Sequence, residues 1–202
     1  MFKTSCWFAL LGLMSLALFA APARAQTDVA LSVYGAFNGS TNGNDVQQSP
    51  SNSAGAMLEL RHISNPLVGY DITYSYNRDN QSYFSPIPCA ACDPWVAVSA
   101  NAHELTGDWV VSVKLANLRP FGLGGVGLLL NEPVSGQSNT QSSTKAVFVY
   151  GAGVDWGLLP HLGLRLQYRG NLYKAPDLTK VYTSTGAFTH SAEPMIGAYF
   201  RF

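Results

Sequence analysis

Histidine, serine and glutamate side chains lie close together near the end of this 202-residue chain. His190, Ser191 and Glu193 are the residue types of a nucleophilic hydrolase, in which a serine, a histidine base and an acid must converge. In a strand, adjacent side chains point to opposite faces, so Ser191 shares a face with Glu193 and not with His190. The same alternation separates His103 from Glu104. We therefore expect no catalytic site.

Short motifs for metal, phosphate or nucleophile chemistry are also missing from the sequence. It contains no H-E-x-x-H, no nucleophile elbow and no phosphate loop. Asp45, Asp79 and Asp93 fall in polar stretches, where solvated charge is a better explanation than a cation site. We expect no metal and no cofactor.

Cys89 and Cys92 form a Cys-x-x-Cys pair between two prolines in a polar stretch. After export, a short disulfide is the favoured interpretation. A redox site would need this pair at a helix N-terminus, and a metal site would need more ligands nearby. We predict a disulfide that staples a loop.

The first 25 residues have the pattern of a secretory signal peptide. Lys3 precedes an uncharged apolar stretch at 8–20, and Ala23 and Ala25 form an A-x-A cleavage site. The stretch is too short for a membrane-spanning helix. We expect cleavage after Ala25 and a single domain over 26–202.

Charged residues make up only 12% of the chain, and the formal net charge is zero. An ordinary soluble domain has roughly 25% charged residues. With no basic run, the sequence argues against nucleic-acid binding and against attachment to a membrane surface by a polybasic segment.

Eight segments alternate apolar and polar side chains with the period of a β-strand. They cover residues 28–38, 56–61, 67–77, 102–115, 120–130, 145–158, 162–169 and 193–202. Short gaps (62–66, 116–119, 159–161) alternate with long polar ones (39–53, 78–99, 131–144, 172–188). Short turns at one end and long loops at the other are typical of transmembrane β-barrels.

The apolar faces of these segments carry no charged residue, which favours contact with lipid. An exported lipocalin-like carrier, with its apolar face inward, is the alternative. In a membrane barrel the polar faces line an interior that side chains can fill at this strand number. The predicted polar network of the lumen comprises Glu59, Arg61, Asp71, Glu104, Asp108, Lys114, Asp155, Arg165, Arg169, Glu193 and Arg201. A narrow pore is the alternative to this filled lumen.

The assigned faces make a prediction about substitutions. Leu164→Arg places a charge against lipid and should impair assembly strongly. Arg165→Leu should be milder, although it leaves an acid without its partner.

Three stretches resemble one known family. They are Arg-Pro-Phe-Gly-Leu-Gly-Gly-Val-Gly-Leu at 119–128, Gly-Ala-Gly-Val-Asp-Trp at 151–156 and Leu-Gly-Leu-Arg-Leu-Gln-Tyr-Arg at 162–169. They are similar to strands of the small outer-membrane β-barrel family, which includes OmpA-like and opacity-type barrels. Phe200 and Phe202, on the apolar face of the last segment, resemble the insertion signal that the barrel-assembly machinery reads.

The resemblance implies an all-β fold: an eight-stranded antiparallel up-and-down transmembrane β-barrel, integral to the bacterial outer membrane and in contact with its lipid. Members have structural, adhesive or surface-interaction roles, so we expect a non-catalytic protein whose surface ligand is unknown. A barrel enzyme that modifies lipid A is the least favoured alternative.

Overall fold

Ten β-strands account for the regular structure of the described chain. The computed structural model describes residues 26–65, 67–86 and 94–202. The strands are β1 (Gln26–Asn38), β2 (Thr41–Gly43), β3 (Val46–Pro50), β4 (Ser53–Ile63), β5 (Val68–Phe84), β6 (Trp95–Ser112), β7 (Leu118–Pro133), β8 (Ser143–Gly157), β9 (Leu162–Lys174) and β10 (Phe188–Arg201). In the described part of the chain, no helix is long and apolar enough to cross a membrane. The predicted cleavage site, Ala23 and Ala25, and the predicted disulfide, Cys89 and Cys92, lie outside the described residues.

Eight of these strands close into an antiparallel barrel, which confirms the predicted fold. Their order is β5-β4-β1-β10-β9-β8-β7-β6, and β5 pairs again with β6. Closure brings the first and last strands together, with Val29 of β1 opposite Phe200 of β10. A closed sheet satisfies its backbone hydrogen bonds internally, as a strand-built membrane protein must.

The outer wall of the barrel is apolar. Leu31, Trp109 and Val126 are 64%, 70% and 66% exposed, whereas their inward neighbours Ser32 and Val110 are buried. Such a surface would be unfavourable in water but matches the lipid-facing band of a membrane barrel.

Connections at the two ends of the barrel differ in length. Short connections join β4 to β5, β6 to β7 (113–117) and β8 to β9 (158–161) at what we call the turn end. The longer connections lie at the opposite, loop end. The alternation of short and long connections was predicted, but the strands within two of the long connections were not.

The predicted loops 39–53 and 78–99 contain regular structure. β2 and β3 form a hairpin that pairs with the outer part of β5, and β5 and β6 stay paired as far as Phe84 and Trp95. Their polar composition suggested a loop, but backbone pairing in a hairpin does not require apolar side chains.

A small apolar core lies at the loop end, beyond the barrel wall. It contains Val46, Tyr83, Val98, Ala100 and Leu178. We call this unit the loop-end cap: β2, β3, the outer parts of β5 and β6, and residues 175–187. Hydrogen bonds from Gln48 and Tyr83 to the Pro176 carbonyl, both 3.0 Å, fix the last of these segments. The loop end is therefore packed.

Candidate functional site

The centre of the turn-end half of the lumen is a cluster of two arginines and four carboxylates. Alternation on β1, β4, β5, β8 and β9 points all six side chains inward. We call Asp28, Glu59, Arg61, Asp71, Asp155 and Arg165 the turn-side cluster. All six are at most 1% exposed.

Arg61 binds its cross-strand partner Asp71 and reaches two further acids. Its Nε and Nη2 donate to Asp71 Oδ2 at 3.1 and 2.9 Å. Glu59 and Asp155 each lie 3.5 Å from the guanidinium. One buried cation thus meets carboxylates from three strands, β4, β5 and β8.

Arg165 connects strands that are not neighbours in the sheet. Its Nε and Nη2 donate to Asp155 Oδ1 and Oδ2 at 2.7 and 3.1 Å, and Nη2 also donates to Asp28 at 2.8 Å. Glu59 lies 3.5 Å away. Because β9 does not pair with β1 or β4, these contacts cross the lumen.

Aromatic rings close the space around the two arginines. The Arg61 guanidinium lies 4.1 Å from the Phe121 ring centroid, and Arg165 lies 5.5 Å from that of Tyr199. Phe121 stands directly opposite Gly153, where an added Cβ would come within 2.5 Å of the ring. The glycine therefore makes room for the aromatic ring.

Arg169 organises a second group nearer the loop end. We call Glu104, Asp108, Arg169, Asn171 and Glu193 the loop-side cluster. Arg169 pairs with Asp108 at 3.1 Å and with Glu104 at 3.3 Å. Asn171 donates to Glu104 at 2.9 Å and to Glu193 at 3.1 Å. β9 and β6 are not adjacent, so this cluster also spans the lumen.

The structure places nine of the eleven predicted lumen residues in these two clusters. Lys114 does not join them: β6 ends at Ser112, so Lys114 is exposed in the turn and its predicted position inside the lumen is wrong. Arg201 lies at the turn end and donates to the Tyr199 hydroxyl at 3.3 Å.

Three buried charges were missed by the sequence reasoning: Asp28, Arg119 and Asp79. Asp79 was expected to be solvated, and this is wrong, because it is 8% exposed and accepts a hydrogen bond from Gln81 at 2.7 Å. Asp28 alternates with outward Val29, so the pattern already contained the signal for it. Arg119 lies one residue before the predicted start of its strand, because Pro120 was taken as the boundary. Asp28 and Arg119 are buried, at 0% and 7% exposure.

The residues considered for catalysis do not converge. Ser191 donates to Glu193 inside the lumen at 3.2 Å, whereas His190 binds the Tyr150 hydroxyl on the exposed side at 2.9 Å. His103 likewise binds the Tyr74 hydroxyl, at 2.8 Å. In the described ranges no group of three or more His, Cys, Asp or Glu is placed to hold a metal ion.

The chemistry of the lumen is that of a packed polar core. A cavity of about 20 Å³ beside the loop-side cluster has room for about one water molecule, which needs roughly 10–15 Å³ of such space. With charges paired inside and an apolar wall outside, the fold and lumen define a transmembrane β-barrel of the outer-membrane type.

Family comparison gives the same class. The model of the outer membrane protein beta-barrel domain matches residues 8–191, so the chain belongs to that family. It is an integral protein of the bacterial outer membrane. A search of curated proteins gives no significant match.

Several solved structures share the fold. Ail of Yersinia pestis, crystallised with the heparin analogue sucrose octasulfate, is 16% identical, with 89% of this chain and 100% of that chain covered and a TM-score of 0.53. Neisserial surface protein A is 13% identical, with 91% and 100% coverage and a TM-score of 0.54. OprG of Pseudomonas aeruginosa is 10% identical, with 91% and 98% coverage and a TM-score of 0.57. At these identities the likeness is one of fold.

Proposed function

We propose that this protein is a non-catalytic, non-conducting barrel that contributes to envelope structure and presents the loop-end cap for interactions at the cell surface. The observation that carries the proposal is the set of ion pairs that cross the lumen. Arg165 connects β9 to β1 and β4, and Arg169 connects β9 to β6.

An ion path through the barrel would have to separate these groups. Removing one partner from a buried ion pair costs about 3–5 kcal/mol because the remaining charge is left uncompensated. Two such clusters lie at successive levels of the same lumen. Thermal motion therefore opens the path rarely, which favours a structural role over a pore.

Planar-bilayer recording tests this proposal. The wild-type barrel should give no steady conductance. Arg165→Ala/Arg169→Ala, which removes two of the three arginines whose ion pairs cross the lumen, serves as the test for an opened lumen. Heat-modifiable gel mobility must first show that both proteins are folded. Steady, ion-selective current through the wild-type protein would refute the non-conducting role.

A surface role is supported by the order of the loop-end cap. Leu178, in the last long connection, is fully buried against the cap core. A packed cap presents a defined surface, and loops on rigid scaffolds commonly carry binding functions. The exposed charges at the loop end are of both signs: Arg78, Lys174 and Lys180 are basic, and Asp45 and Glu132 are acidic.

Complementation of a deletion strain separates the contribution to envelope structure from the interaction at the cell surface. A deletion strain should regain detergent resistance with either the wild-type gene or a variant whose residues 175–187 are replaced by a short Gly-Ser linker. Attachment to a surface partner should return only with the wild type. Equal attachment by both proteins would refute a role for the cap.

Assembly is proposed to use the exposed aromatic face of β10. Phe200 and Phe202 are 48% and 72% exposed on the outer wall. Phe200→Ser/Phe202→Ser should lower the yield of folded barrel in cells but not refolding of purified protein into detergent. An equal loss in both settings would indicate a packing role instead.

A further inference from the structure

A cavity of about 340 Å³ opens at the turn end of the barrel. Its wall is built from the β6–β7 turn, the β8–β9 turn and the end of β10. Tyr199 lies at its inner side, next to Arg165 of the turn-side cluster. Because the short turns of outer-membrane barrels lie on the periplasmic side, the cavity lies between that cluster and the periplasm.

Three basic side chains line this cavity: Lys114, Arg119 and Arg201. Arg119 is 7% exposed and uses Nη2 to donate to Gln26 at 2.6 Å. Its Nη1 is buried and has no hydrogen-bond partner among the described residues. The same holds for Arg201 Nε. Two guanidinium donors at one cavity are therefore unsatisfied, which is costly for buried charged groups.

The single carboxylate in the cavity lining does not satisfy these donors. Asp155 gives both oxygens to Arg165, at 2.7 and 3.1 Å. None of the three lining cations forms an ion pair with any residue of the described ranges. Three cations against one committed acid give the lining a formal charge of 3 − 1 = +2.

The rim of the cavity is apolar and exposed. Leu118, Leu158 and Leu159 are 47%, 48% and 63% exposed. On a barrel of this class, such side chains belong at the lipid interface of the periplasmic leaflet. Arg presents its donors in a planar fork that fits phosphate oxygens. A phosphate group at that interface would be a suitable acceptor for the unsatisfied donors of Arg119 and Arg201.

We propose that this turn-end cavity is a binding site for a phosphate group, with Arg119 and Arg201 as its principal donors and Lys114 as a supporting charge. The group comes either from the headgroup of an anionic phospholipid in the periplasmic leaflet or from free phosphate. The proposal concerns the turn end and is independent of the role of the loop-end cap.

Lys114, Arg119 and Arg201 could instead serve only to balance the charge of the turn-side cluster, and that role predicts a different result. The turn-side cluster has four acids and two arginines, a formal charge of 2 − 4 = −2, which attracts cations at its edge. If that were their whole role, Arg119→Gln would lower stability without any dependence on phosphate. Binding and stability must therefore be measured separately.

The experiment uses the refolded chain in dodecyl maltoside, which has no phosphate. Inorganic phosphate and short-chain dihexanoyl-phosphatidylglycerol are titrated in separate arms, with ³¹P NMR line broadening as the binding readout. R119Q and R201Q are compared with K174Q, which removes an exposed charge from the loop end. K114Q, in an exposed turn, provides a variant that should fold even if R119Q does not.

We expect saturable binding in at least one arm, weakened about tenfold or more by R119Q and R201Q, less by K114Q and not at all by K174Q. Binding of phosphatidylglycerol alone assigns the site to a lipid headgroup, and equal binding of inorganic phosphate assigns it to the free anion. No saturable binding in either arm, or equal loss in K174Q, would overturn the proposal.

Discussion

Replacement of Arg165 by methionine is the sharpest test of the buried charge network. Arg165 is fully buried and contacts Asp155, Asp28 and Glu59. In the wild-type protein, the turn-side cluster has two arginines for four acids. After Arg165→Met, one arginine remains for the same four acids. Methionine fills similar space but neutralises nothing.

The expected loss in unfolding free energy is about 3–5 kcal/mol, the usual cost of leaving one side of a buried pair uncompensated. The alternation of faces alone predicted a milder effect than for Leu164→Arg. The network changes that expectation, because one arginine serves three carboxylates.

Urea unfolding in phosphatidylcholine vesicles, followed by tryptophan fluorescence, measures this loss. Lys174→Met on the same strand is the control, and as an exposed site it should stay within about 0.5 kcal/mol of wild type. Arg165→Met/Asp155→Asn/Asp28→Asn neutralises two of the three acids that Arg165 contacts and should recover part of the stability. A single variant within about 1 kcal/mol of wild type would refute the reasoning, since it falls well below the cost of a broken buried pair.

Three further predictions concern packing inside the barrel, on its wall and in the cap. Gly153→Val should clash with the Phe121 ring and with the Leu166 carbonyl oxygen, both 2.5 Å from an added Cβ, and should reduce the folded fraction on heat-modifiability gels. Gly107→Val, where nothing lies within 4 Å of an added Cβ, is the control, and equal yields would show that the barrel accommodates the added side chain. Leu58→Arg, on the outer wall at 50% exposure, should cost about 2–4 kcal/mol in urea unfolding, with Leu58→Phe neutral; tolerance of the arginine would place this face away from lipid. Leu178→Ala should speed proteolysis of residues 175–187 on intact cells, because Leu178 is buried in the cap core, while the barrel keeps its heat-modifiable mobility. Loss of the folded barrel would show that the cap and the barrel unfold together.

Strand faces could be predicted because the period of two is local. Leu31 and Ser32 are adjacent in a strand and therefore point to opposite faces. Leu31 faces lipid and is exposed, whereas Ser32 faces the lumen and is buried. The same rule placed Arg61, Arg165 and Arg169 inside the barrel.

Pairing between the buried charges could not be predicted. Whether Arg165 reaches Asp28 depends on barrel closure and on the stagger of β9 against β1, which no local pattern contains. Strand ends were uncertain for a related reason. β6 ends three residues before its predicted end, which moves Lys114 from the lumen to the turn.

The loop-end cap shows the limit of composition as evidence. Residues 46–50 are mostly polar, yet they form β3, with Val46 in the cap core and Gln48 hydrogen-bonded to Pro176 at 3.0 Å. These contacts join segments more than a hundred residues apart. Only the folded chain brings them together.

The central claim is that the apolar wall faces lipid while the paired charges lie inside. Quenching of single tryptophans by lipids with brominated acyl chains measures it most directly. Trp109, on the barrel wall, and Trp95, at the loop end, are similarly exposed at 70% and 60%. We expect strong quenching of a protein that retains Trp109 alone and weak quenching of one that retains Trp95 alone. Equal, weak quenching of both would contradict the central claim.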